Sequence, residues 1–254
     1  LTDAPRFPAF GLLGNTRRVA EAIADKNRPP HGGARMEDVL KRIKALLAEA
    51  GPIESSGVTI ASDVLVGAGG DKVCYQVKLG WDIAVANVCD ETWGVFNIQL
   101  MRFIKAQNYD NAALGAVLAQ IQVDDSHWRW LNKSLHFNSD EYKWFFLFAE
   151  GYPQAACLIY HPKPSAMDGQ GIFYIEFLAV APWNRVNPMR ERSFKGVGTT
   201  LIATVKEYAC SRLGLRPGFS LHALPRAAGF YQSIGMRNFP LLDKEGMPYF
   251  EMPI

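Results

Sequence analysis

Apolar positions along this chain recur with two different periods, and the switches between them mark its elements. Helical spacing predicts helices over Thr16 to Lys26 and Met36 to Ala50, separated by the breaker run NRPPHGG. Gly51-Pro52 is a good stop for the second. Val58 to Val66 and Lys72 to Leu79 read as strands, the second alternating in part, with the turn GAGGDK between them. Trp81 to Val88 reads as a further short strand, after which Asp90 is placed to cap a helix. Helical periodicity then covers Val95 to Gln107 and Asn111 to Gln122. Trp128, Trp130 and Leu131 suggest one more apolar helical face. Residues 144–149 and 155–160, joined by Glu150-Gly151-Tyr152-Pro153, predict a hairpin that leads through a Pro/Gly-rich loop, Pro162 to Gly171.

The densest signal follows. Residues 172–181 are apolar except for Tyr174 and Glu176, and Pro182 closes the run. Aromatic and β-branched enrichment favours a strand covered on both faces. Burial raises a carboxyl pKa, which suits Glu176 to act as a general base for an amine. An arginine partner or a solvated strand edge would also account for it. Next comes FKGVG, Phe194 to Gly198, feeding a helix on which Leu201, Ile202, Val205, Tyr208, Ala209 and Leu213 recur at three- and four-residue spacing. Gly214 fits its C-terminal cap. A glycine turn at a helix N-terminus exposes backbone N–H groups to the positive end of the helix dipole, so phosphate is a natural ligand. Two glycines before a helix are also an ordinary turn. Arg190, Arg192 and Lys195 add positive charge there, or form a solvated basic loop. A strand over GFSLH and a short helix between Pro225 and Gly235 complete the series. Tyr231 on that helix is either a core residue or a functional hydroxyl.

These residues resemble the acetyl-CoA-binding core of the GNAT (Gcn5-related) N-acetyltransferase superfamily, over about residues 80–254. Three motifs carry the resemblance: Leu178-Ala179-Val180-Ala181-Pro182 at a strand end, the Gly196/Gly198 loop, and Ala227-Ala228-Gly229-Phe230-Tyr231-Gln232-Ser233-Ile234-Gly235. Ser193 stands where the family loop has Gln or Arg, and Leu224 stands where many members have Asn. The run NRVNPMRERSF before the loop is longer than usual and adds Arg185.

The resemblance implies an α/β (α+β) fold, with a mixed central sheet flanked by helices and an N-terminal α/β extension. It divides the chain into an extension of unknown role, 1–80, and a GNAT-like domain, 81–254. It implies an N-acetyltransferase that uses acetyl-CoA as co-substrate and no metal. Backbone of Leu178, Ala179 and Val180 would hold the pantetheine arm. N–H groups from Phe194 through Lys195, Gly196, Val197 and Gly198 to Thr199 would cradle the pyrophosphate, with Arg192 and Phe230 beside the cofactor. Arg185, Arg190 and Arg192 would grip the 3′-phosphate or an acidic substrate. Tyr231 would protonate the departing thiolate. Glu176 would deprotonate the amine, with Tyr174 or His222 as alternative participants. The acceptor would be a small molecule or a protein amine, and aminoacyl-tRNA stays open. A non-catalytic CoA-binding module on the same fold is the other reading.

Composition changes this little. At 254 residues and 48% hydrophobic, the chain can bury one large core or two small ones. A formal net charge of +2 argues against a strongly electrostatic nucleic-acid binder. No apolar run approaches the ~20 residues needed to span a bilayer. No signal-peptide pattern is visible, so a cytoplasmic setting without membrane partners is expected. Cys74, Cys89, Cys157 and Cys210 form no CxxC pair, and the last three are expected to be buried thiols. The five histidines show no metal-ligand spacing.

Overall fold

One eight-stranded sheet organises the chain, in the order β1-β2-β3-β4-β5-β6-β8-β7. The computed structural model describes residues 36–49 and 55–253. The helix expected at Thr16 to Lys26, the NRPPHGG run and the Gly51-Pro52 stop lie outside these residues. Within them, α1 spans Met36–Glu49, β1 Val58–Val66 and β2 Lys72–Leu79. Helices α2 (Ile83–Ala106), α3 (Asn111–Gln120) and α4 (Trp130–His136) follow, then strands β3 (Tyr142–Ala149), β4 (Tyr152–Pro164) and β5 (Gly171–Val180). The last part holds α5 (Val197–Arg212), β6 (Phe219–His222), α6 (Ala228–Ser233), β7 (Arg237–Asn238) and β8 (Tyr249–Glu251). No helix among the described residues is long and apolar enough to cross a membrane.

The expectation of a mixed sheet flanked by helices holds. Every strand pair is antiparallel except β5–β6, and α5 supplies the crossover that a parallel pair needs. Alternation along β3 and β4 splits the core between the two faces. Phe145, Leu147, Cys157 and Ile159 pack with Leu201, Val205 and Ala209 of α5. Trp144, Phe146, Ala156 and Leu158 pack on the other face with Trp93 of α2 and Trp130 of α4. Being buried on both sides explains why β3 reads as the continuous apolar run WFFLFA.

β1 and β2 precede residue 80, yet β2 pairs with β3, and Leu65, Tyr75 and Val77 join the α5-side core. A division of the chain at residue 80 therefore cuts through a continuous sheet. Ile43 and Leu47 of α1 pack with Ile83, Leu131 and Leu135.

Trp81 to Val88 is not a strand. Asp82 caps α2, accepting from the N–H groups of Ala84 and Val85 at 3.1 and 3.0 Å. Its second oxygen accepts from Ser56 N–H at 2.8 Å. The alternation of Trp81, Ile83 and Val85 mimics a strand. The stripe that governs the segment continues through Ala86, Cys89, Trp93, Phe96, Leu100 and Ile104 at helical spacing.

Asp90 does cap a helix, but not its own. From the second turn of α2 it accepts the N–H groups of Trp130 and Leu131, at 2.7 and 3.1 Å, and so closes the N-terminus of α4. Burial raises its carboxyl pKa against the lowering effect of those two bonds. Asp90→Ala leaves two donors without an acceptor. A loss of about 1–3 kcal/mol in unfolding free energy is expected. It would be read as a lower denaturant midpoint at unchanged slope.

Candidate active site

β5 is longer than its parallel partner, and this mismatch opens a cleft. Pairing with β6 is confined to Phe173–Phe219, Tyr174–Ser220 and Ile175–Leu221. Beyond Ile175 the strand runs on to Val180 with no neighbour on that side, while β6 ends at His222. The gap is a cavity of about 400 Å³ walled by Leu178, Ala179 and Val180 of β5, by the first turn of α5, and by Ala227, Phe230 and Tyr231.

The first turn of α5 is shaped by its glycines. Gly196 is the N-cap residue, in the left-handed region at φ 72°. A Cβ on Gly198 would come within 3.1 Å of Val180 Cγ2, so glycine permits α5 to lie this close to β5. Val197, Gly198 and Thr199 then turn N–H groups without intrahelical acceptors into the cleft wall. Arg192 also lines the cleft, and no carboxylate pairs with it among the described residues.

Other expected contacts are placed elsewhere. Phe194 is buried in the α5-side core, and its N–H donates to Asn184 Oδ1 at 3.0 Å. It anchors the loop and does not line the cleft. Lys195 is exposed and outside the cleft wall. Arg185 is committed to Asp125 through two contacts of 2.6 and 2.5 Å, and to the Val180 carbonyl at 2.8 Å. Arg190 donates to Ser193 Oγ and lies over the Phe96 ring at 5.3 Å. Arg192 is thus the one basic-loop arginine on the cleft that keeps its charge unpaired among the described residues.

The long insert is held on both flanks, which explains its length. Asn184 and Trp183 both donate to Gln154 Oε1, at 2.9 and 2.7 Å, and Gln154 is itself buried. On the far side the β1–β2 turn meets it, with a bridge between Gly67 and Phe194 and a bond from Ala68 N–H to the Ser193 carbonyl at 3.1 Å. The run GAGGDK, a turn as expected, is therefore a buttress for the loop.

The connection after α3 was legible only as a helix tail. The helix ends at Gln120, and residues beyond it lie beside the cleft. Asp125 holds Arg185 on the β5 side, while Asp124 pairs with Arg226 at 3.4 Å on the α6 side. Charge pairs between residues 60 and 102 positions apart leave no local mark in a sequence.

Glu176 sits at a β-bulge. Leu158 faces Phe177 and Ile159 faces Ile175, so Glu176 is the extra residue with no partner on β4. The bulge also shifts the side-chain alternation. Ile175 packs toward α5, whereas Phe177 and Ala179 pack toward the α2–α4 side. The Glu176 carboxylate is half-buried and has no hydrogen bond or ion pair among the described residues. Burial raises its pKa, while Lys244, Lys163 and Lys133 oppose the rise. No arginine pairs with it among the described residues.

The two alternative participants are occupied. His222 Nε2 lies 2.8 Å from the Leu242 carbonyl, which can only accept, so Nε2 carries the proton. Nδ1 is then the acceptor for the Tyr174 hydroxyl at 2.6 Å. Burial lowers the His222 pKa and favours this neutral form. Tyr231 is 8% exposed, with its ring against Phe230 and Phe250. Burial first, and then Cys157, push its phenol pKa upward, so the hydroxyl stays protonated at neutral pH. Cys89 and Cys157 are buried thiols as expected, whereas Cys210 is only half-buried.

No family model matches the sequence, and no curated protein matches it. Among solved structures it is similar to PaiA N-acetyltransferase from Thermoplasma acidophilum in complex with coenzyme A, at 12% identity, covering 70% of this chain and 99% of that one, TM-score 0.41. It is also similar to the GNAT domain of S. lividans PAT, at 12% identity over 75% of this chain and 96% of that one, TM-score 0.45. N-acetyltransferase PseH of Campylobacter jejuni is 16% identical over 57% of this chain and 92% of that one, TM-score 0.32.

Proposed function

We propose that this chain is a GNAT-type N-acetyltransferase, moving an acetyl group from acetyl-CoA to a primary amine by direct attack in a ternary complex. One observation carries the reading. The cleft opened by the unequal lengths of β5 and β6 has a helix N-terminus on one wall, free strand backbone on the other, and Tyr231 between them. The pyrophosphate fits the N–H groups of Val197, Gly198 and Thr199, with Arg192 beside them. The pantetheine amides fit the β5 edge from Leu178 to Val180 as an added strand would, except at the Val180 carbonyl, which already accepts from Arg185. Phe230, on the cleft wall and 41% exposed, offers an apolar face to the cofactor.

The chemistry balances with two side chains. Glu176 takes a proton from the acceptor ammonium, and the free amine attacks the thioester carbonyl. The C–N bond forms, the C–S bond breaks, and Tyr231 gives its proton to the leaving sulfur. The nitrogen's second proton replaces the one Tyr231 gave up, relayed by solvent, and Glu176 releases the first to solvent, so one proton is lost overall. The products are an N-acetyl amide and CoA thiol.

Calorimetry with acetyl-CoA and desulfo-CoA tests the cofactor site, and thiol release with an amine panel tests transfer. Binding of both ligands without transfer to any amine would favour the non-catalytic module. Glu176→Gln should lower kcat/KM by about 10²–10⁴ at neutral pH. A base with a raised pKa gives a rate that climbs with pH until the carboxyl is ionised, so this acidic limb of the profile should vanish in the variant. An unaltered limb would take the role from Glu176.

A further inference from the structure

Three lysines act electrostatically on the one carboxylate of the bulge. Lys133 extends from α4, with Nζ 3.2 Å from the Phe177 ring centroid and 4.9 Å from that of Trp128. Lys163 comes from β4, with Nζ 4.3 Å from the Tyr174 ring and 5.6 Å from that of Tyr249. Lys244 comes from the loop before β8, which is closed by a bridge between Lys244 and Met247. All three act electrostatically on Glu176. None of them makes an ion pair with any carboxylate among the described residues.

Other acidic groups near the lysines are already engaged. Asp90 spends both oxygens on the α4 N-terminus. Glu251 is fully buried and bound by Arg216, Ser165 and Ala166. Asp243 and Glu245 flank Lys244 in the chain, so the excess of positive charge is that of Lys133 and Lys163 over Glu176. Lys133 and Lys163 hold theirs half-buried against aromatic rings. Burial lowers the Lys133 pKa to about 8, which expresses the cost of holding that charge. Partly desolvated charge without a partner is unfavourable, and a bound anion removes the penalty.

We infer that the acceptor is an amine carrying its own negative charge, a carboxylate or a phosphate, with the amine presented to Glu176 and the anion received by Lys133 and Lys163. This deepens the acetyltransferase reading and rests on it. Phe177 and Trp128 lie against Lys133, and Tyr174 lies against Lys163.

Paired amines that differ by one negative charge test it. An amino acid is compared with its carboxamide, and an amino-sugar phosphate with its parent sugar, by thiol release from acetyl-CoA. The charged member should be favoured about tenfold or more in kcat/KM, as one partly desolvated charge contact implies. The pair showing the larger preference identifies carboxylate or phosphate as the anion. Lys133→Met and Lys163→Met should each shrink the preference while acetyl-CoA affinity by calorimetry stays unchanged. Equal or better turnover of the neutral members overturns the inference.

A second readout does not depend on finding the substrate. Inorganic phosphate or propionate should slow amine-reactive labelling of Lys133 and Lys163, followed by mass spectrometry, relative to chloride at the same ionic strength. Absence of protection by both anions overturns the anion site. Absence of acetyl-CoA binding overturns the enzyme reading instead, and the labelling result then stands alone.

Discussion

Gly198→Glu abolishes binding of acetyl-CoA and of CoA in calorimetry, while the far-UV spectrum and melting temperature of the protein stay close to those of the parent. The expectation follows from position. Gly198 is the second residue of α5 and faces Val180 so closely that a Cβ would sit 3.1 Å from its Cγ2. The valine methyl must give by a few tenths of an ångström, a shift that a side chain at a cleft edge absorbs. A carboxylate in the first turn is compatible with the helix dipole, so the helix itself is not harmed. The same charge occupies the place where the N–H groups of Val197, Gly198 and Thr199 would meet the pyrophosphate. Repulsion between like charges a few ångströms apart, added to loss of those bonds, should weaken binding by at least about a hundredfold. Gly198→Ala separates the two causes, because it adds the Cβ without the charge and should bind CoA with a modest loss. If Gly198→Glu binds CoA as the parent does, the cleft is not the cofactor site, and Tyr231 and Glu176 lose their common rationale.

The parts of this site that could be read from the sequence are those built by neighbours in the chain. The strand, glycine turn, helix, strand and short helix between Ile172 and Met236 each carry local signals, and all five form in that order. The hairpin of β3 and β4 and the strands β1 and β2 were legible for the same reason. The failures share a different cause. Trp81 to Val88 reads as a strand because three alternating residues outweigh the cap at Asp82 and a stripe that becomes clear only over 24 residues. That β1 and β2 join the main sheet depends on pairing across the 62 positions between β2 and β3, which no local period encodes. Arginine-rich insertions look alike in sequence whether their charges are free or engaged. Only the fold shows Arg185 locked to Asp125 and Arg192 left open to the cleft. The lysines around Glu176 come from α4, β4 and the loop before β8, so their meeting is a property of topology.

Tyr231→Phe should lower kcat by about 10²–10⁴ with the dissociation constant for acetyl-CoA nearly unchanged, because it removes a proton donor and leaves the ring packing intact. The ring is held by Phe230 and Phe250, so the substitution perturbs neither α6 nor the cleft wall. Burial pushes the phenol pKa upward, so the hydroxyl remains protonated through the neutral and mildly alkaline range. Deprotonation of Tyr231 should therefore give no falling limb in the parent enzyme within that range, and the variant should keep the parent's profile at a lower level. A changed profile would mean that the hydroxyl tunes Glu176 instead. The leaving group supplies the sharper test. A thioester of a more acidic thiol needs less protonation as its C–S bond breaks, so the ratio of parent to variant rates should fall toward one for such a substrate. A ratio that stays constant across thioesters would show that Tyr231 positions the acetyl group and does not donate to sulfur. Equal rates with acetyl-CoA itself would remove Tyr231 from the chemistry altogether. The buried phenol beside Cys157 would then be a core residue that happens to border the cleft.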